Sequence, residues 1–133
     1  MAIKYNVVPK KNPSQPTAPA KYYGQAVHPE KINFKQLSIE IAETSTTVSD
    51  GDAYATLITA SKLVRKYLEK GYIVELEDIG TFYINISSDG AETPEKFHHG
   101  LIRSAKVIFK SGKAFAAMLK SVVYEKIKQT SSE

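Results

Sequence analysis

The stretch Tyr72–Gly90, YIVELEDIGTFYINISSDG, constrains this chain more than any other. Val74 and Leu76 alternate with Ile73, Glu75 and Glu77, the pattern of a strand with one buried face. Asp78-Ile79-Gly80 interrupts the alternation, and Thr81, Phe82, Tyr83, Ile84 and Ile86 resume it with β-branched and aromatic side chains. The reading is strand, tight turn, strand, with Gly80 supplying the backbone freedom the turn needs. Further on, Ala105–Phe109 is again apolar and strand-like, Ser111-Gly112 breaks it, and Phe115, Met118, Leu119, Val122 and Lys126 recur at helical spacing. That last helix is expected to run from Lys113 to near Ile127, leaving a polar tail over residues 128–133.

Two helices are expected ahead of the hairpin. Asn33 precedes Phe34 with Gln36 three positions on, an arrangement that satisfies the free backbone N–H groups of a helix start. Phe34, Leu37, Ser38 and Ile41 share one face for about three turns, and the helix fades in Thr44-Ser45-Thr46-Thr47. Ser49 caps a second helix with Asp52 in its first turn. Tyr54, Leu57, Ile58, Ser61, Val64, Tyr67 and Leu68 form its apolar stripe, and Gly71 ends it. Before Asn33, Ile3–Val8 and Lys21–Val27 have strand composition and flank the Pro-rich run Pro9–Pro19. Residues 1–31 are therefore expected to form an extension lying along an edge of the main sheet, residues 32–127 the main domain.

Charge is unevenly spread along the chain. Residues 1–35 carry six lysines against Glu30, for +5; residues 36–95 carry four bases against eleven acids, for −7; residues 96–133 carry eight bases against Glu125 and Glu133, for +6. A basic C-terminal third suits a polyanionic partner. With no Cys there is no disulfide frame and no thiolate metal site. His98-His99 and His28 lack metal spacing and read as surface histidines. No Ser-His-Asp order, phosphate-binding Gly-rich loop or H-E-x-x-H occurs, so an enzyme is not expected. No apolar run reaches 18 residues and the N-terminus lacks the apolar centre of a signal peptide; a cytoplasmic protein without membrane partner or small-molecule substrate is the expectation.

The run Val74-x-Leu76-x-Asp78-Ile79-Gly80-x-Phe82 resembles the hairpin signature of the bacterial histone-like HU and integration-host-factor DNA-binding proteins. Val107-Ile108-Phe109-Lys110-Ser111-Gly112-Lys113-Ala114 is similar to the segment that follows their arm, and Ser49–Ala53 to the start of their second helix. The order of elements agrees over roughly residues 33–125. The N-terminal extension, with its Tyr-containing strand and Lys-Pro-rich loop, is similar to that of the longer HU-like proteins of Bacteroides-type bacteria. The resemblance implies an α+β fold assembled as an intertwined homodimer: two N-terminal helices, a β-hairpin with an arm, a third strand and a C-terminal helix. It implies double-stranded DNA as partner, a nucleoid-associated architectural role, and no cofactor. Lys110 and Lys113 are the phosphate contacts it implies, and Lys96, Arg103 and Lys106 are candidates along the arm.

The sequence departs from the family at the arm tip. Between Phe82 and Phe109 there is no Arg-Asn-Pro, and the only proline, Pro94, reads as a turn residue rather than a wedge between base pairs. Residues 83–108 balance Asp89, Glu92 and Glu95 against Lys96, Arg103 and Lys106, and a neutral arm releases fewer counterions from DNA. Phe97 reads as a cap on the core. The alternative is therefore an HU-like fold kept as a structural or protein-interaction module with weak or no DNA binding.

Overall fold

The computed structural model describes residues 2–45 and 47–127; the polar tail expected over 128–133 lies outside them. It is an α+β chain with strands β1 (Ile3–Lys10) and β2 (Lys21–Ala26), helices α1 (Phe34–Thr44) and α2 (Asp50–Glu69), and strands β3 (Val74–Leu76), β4 (Gly80–Ser88) and β5 (Ile102–Ser111). Helix α3 (Lys113–Leu119) and strand β6 (Tyr124–Lys126) complete it. The strands make two separate three-stranded sheets, β2-β1-β6 and β3-β4-β5. Two compact units result, one holding residues 2–31 with the C-terminal segment from Leu119, the other spanning Ile32–Met118.

Local signals account for the helices of the second unit. The Asn33 side chain accepts from the Gln36 N–H (3.0 Å) while the Gln36 side chain accepts from the Asn33 N–H (3.1 Å), a reciprocal cap. Ser49 accepts from the Asp52 N–H (3.1 Å), and Asp50 and Asp52 sit where the helix dipole favours acids. At the other end of α2, Gly71 takes φ +85°. Its N–H donates to Leu68 O (3.0 Å) and that of Tyr72 to Tyr67 O (3.1 Å). The Tyr72 ring meets Tyr67 edge-on at 5.7 Å, so the bonds that close this helix come with their own aromatic contact. In α1, buried Ser38 resolves its hydroxyl by donating to Phe34 O (2.5 Å).

Two glycines bring the sheet together. The three residues Glu77-Asp78-Ile79 join β3 to β4, with Glu77 at φ 45°. Gly80 follows at φ 150°, and a Cβ there would strike the Lys110 carbonyl oxygen and the Phe109 ring. Gly112 closes the same junction from the far side: its N–H donates to Ile79 O (3.0 Å), and a Cβ on it would meet the backbone of Asp78. The turn and the β5–α3 junction are thus pressed backbone to backbone.

Two expectations are corrected. Among the described residues the extension adds no strand to the hairpin sheet; β1 pairs antiparallel with β2 and parallel with β6 to make a sheet of its own. The last helix does not reach Ile127, because its register is given up at Leu119. Beyond it Val122-Val123 are β-branched and favour extended backbone. The Ile3 N–H donates to Val123 O (2.8 Å) and the Ile127 N–H to Tyr5 O (2.9 Å), so the segment's backbone groups bond to β1 instead of continuing a helix.

Little of the chain is buried. Among the described residues the only buried apolar side chains are Ala53 and Leu68.

Candidate nucleic-acid interface

β4 and β5 pair antiparallel over nine and ten residues, about 30 Å at ~3.4 Å per residue, with β3 alongside Gly80–Phe82 and a two-stranded ribbon beyond. Cross-strand partners share a face, so the register sorts the side chains. Phe82↔Phe109, Ile84↔Val107 and Ile86↔Ala105 lie on one side; Thr81↔Lys110, Tyr83↔Ile108, Asn85↔Lys106 and Ser87↔Ser104 lie on the other. Phe82 and Phe109 pack with centroids 4.9 Å apart, yet Phe109 is 44% exposed, Ile86 54% and Val107 60%. This apolar face and α2 border an open groove lined by Val64, Leu68, Phe82, Ile84 and Val107.

The opposite face carries two of the expected contacts. Lys106 and Lys110 stand on it four residues apart, about 14 Å along the strand. Lys110 Nζ lies 5.5 Å from the centre of the Tyr83 ring, a cation–π contact that holds the ammonium over the sheet. Lys113 is the first residue of α3, brought next to the hairpin turn by the Gly112 junction. None of these three lysines is in an ion pair among the described residues.

Lys96 and Arg103 are placed differently. Arg103 Nε bonds Asp89 Oδ1 at 3.0 Å across the mouth of the 89–101 loop, where the Asp89 N–H also donates to Leu101 O (2.9 Å). Lys96 Nζ meets Glu92 Oε2 at 3.3 Å. Both pairs are solvent-exposed, so they add little stability, but each acid competes with a phosphate for its cation. Pro94 begins a single 3-10 turn, Pro94–Lys96, as a turn residue would. Phe97 does not cap the core; it is 42% exposed.

A second basic row lies outside the residues expected from the sequence. Lys62 and Lys66 of α2 and Lys70 at its C-cap follow one another at intervals of four, the last two within 6 Å of the Tyr67 ring at 5.8 and 5.9 Å. Like charges at that spacing destabilise a helix slightly. The i, i+4, i+8 lysines were themselves the signal, obscured by the acidic balance of residues 36–95.

Among solved structures, one from Bacteroides vulgatus, described provisionally as a bacterial DNA-binding protein, aligns with 98% of this chain at a TM-score of 0.68 and 12% identity. This chain spans half (50%) of that protein's length. No curated protein matches the sequence. No helix among the described residues is long and apolar enough to cross a membrane. The model of the HU-HIG family, an HU domain fused to wHTH, Ig or Glycine-rich motif, matches residues 1–126, and with the hairpin, its two glycines and the arm in the positions described, the chain belongs to that family of HU-like proteins.

Proposed function

We propose that this protein binds double-stranded DNA as a homodimer with little sequence preference, in an architectural, nucleoid-associated role. The observation that carries the reading is the sorting of the β4–β5 strands into an uncovered apolar face and an opposite face on which Lys106 and Lys110 stand outside any ion pair among the described residues, with Glu75 of β3 the one acid the register adds to that face, beside Thr81. An apolar face this exposed, with only two buried apolar residues among the described residues, calls for a partner surface, and a second copy supplies a self-complementary one. The lysine face, with Lys113 beside it, suits phosphates rather than base edges, so recognition would rest on backbone charge and DNA shape. Lys96 and Arg103 join the contact only when Glu92 and Asp89 release them. The reading requires no cofactor.

The test is the salt dependence of binding to unrelated duplexes. Log affinity is expected to fall with log salt by about 0.9 per phosphate neutralised, and Lys106→Ala with Lys110→Ala to flatten the slope by roughly two units on every sequence. Absence of binding by the intact protein at ~50 mM salt, where electrostatic association is strong, would favour the second reading, an HU-like interaction module. That reading draws its support from the two ion pairs that neutralise the arm's outer cations.

A further inference from the structure

The register of the N-terminal sheet also sorts its side chains. Asn6↔Gln25, Val8↔Tyr23 and Lys10↔Lys21 are direct partners, so Lys4, Lys10, Lys21 and Tyr23 share one face. All four are exposed, Tyr23 by 47%. Lys10 and Lys21 oppose each other across the β1–β2 ladder, an arrangement that destabilises a sheet through like-charge repulsion. Lys4 stands opposite Glu125, but none of the three lysines is in an ion pair among the described residues.

A cross-strand lysine pair is relieved when an anion lies over it. From Lys4 to Lys10 is six residues, about 20 Å of strand, too long a row for one small anion to span. A linear polyanion fits it, and duplex DNA offers one charge per ~1.7 Å of axis. Tyr23, beside the lysine pair, adds a flat ring and a hydroxyl able to bond a phosphate or sugar.

We propose that this face of the N-terminal sheet is a second DNA-backbone contact, additional to the β4–β5 arm. It extends the reading that the protein binds duplex DNA and rests on it. The extension would then lengthen the footprint on DNA without adding sequence preference, since its contacts are to phosphate.

The experiment compares the full chain, a Lys4→Gln, Lys10→Gln, Lys21→Gln variant and a Lys10→Glu variant on a duplex of ~30 base pairs across a salt series. The triple variant is expected to flatten the salt slope by about 2.7 and, at ~0.1 M salt, to weaken binding on the order of 10²-fold, since each phosphate contact contributes ~0.9 to the slope. Lys10→Glu converts the like-charge pair into an opposite-charge pair. It is expected to melt at the same or a higher temperature than the unmodified protein while binding DNA more weakly, a combination that general loss of structure cannot produce. If the unmodified protein binds and both variants keep its slope, the lysines are a solvated face and the proposal fails while the arm reading stands. If the unmodified protein binds no duplex at ~50 mM salt, the DNA reading itself fails and takes this one with it. Preference for vesicles of anionic phospholipid over the duplex would overturn the proposal in favour of a membrane surface.

Discussion

Replacing Val107 with Lys separates a self-sufficient protomer from one completed by a second copy. Val107 is 60% exposed in the single chain, on the apolar face of the ribbon beside Ile84 and Phe82. If the chain stood alone, a lysine there would reach water, and the change in stability would stay within about 0.5 kcal/mol. If a second copy covers the face, two costs arise. The exposed part of the valine loses its burial, about 1–2 kcal/mol of the roughly 1.5–3 that a full apolar side chain gains. An ammonium must also be buried or bent out of the interface, on the order of 2 kcal/mol or more. A two-fold interface holds the site twice, so the dimer loses about 6–8 kcal/mol, and at ~1.4 kcal/mol per tenfold its dissociation constant rises by 10⁴ or more. Sedimentation equilibrium at micromolar concentration, with thermal melts followed by circular dichroism, reads both quantities. The unmodified protein is expected as a dimer, the variant as a monomer that has lost its cooperative melt. A variant with the mass and melting midpoint of the parent would refute the reasoning, as would a parent that is a folded monomer.

Gly112→Ala should lower stability by about 1–3 kcal/mol in denaturant titration, because the new Cβ meets the Asp78 backbone and the bond from the Gly112 N–H to Ile79 O is lost; a change under 0.5 kcal/mol would mean the junction gives way freely. Removing the two arm acids that hold cations, by Asp89→Asn with Glu92→Gln, should tighten DNA binding and steepen the salt slope by up to about two units, as Arg103 and Lys96 become free to neutralise phosphates. An unchanged slope in that variant would show that the arm tip does not touch DNA.

The sequence alone determined the features whose causes lie within a few residues. The Asn33–Gln36 and Ser49–Asp52 caps, the closure of α2 at Gly71 and the strand–turn–strand at Gly80 each rest on contacts inside one helical turn or one hairpin, so composition and spacing suffice to read them. The candidate cations came by another route: Lys110 and Lys113 are implied by the resemblance of Val107–Ala114 to the segment after the HU-like arm, and Lys96, Arg103 and Lys106 by their place along it. What only the tertiary structure decided depends on partners far along the chain. Tyr124-Glu125-Lys126 is three residues long and continues a helical pattern, and it becomes a strand because β1, more than a hundred residues earlier, offers unpaired backbone groups. The Asp89–Arg103 pair arises only when the ribbon's register brings residues 88 and 102 opposite each other, which turns a formal charge balance into a specific engagement of one cation. Likewise Gly112 reads as a simple strand breaker until its close approach to Asp78 shows that the fold leaves no room for a side chain. Local hydrogen bonding and periodicity are written in neighbouring residues; register and backbone approach between distant segments exist only once loop closure has been achieved.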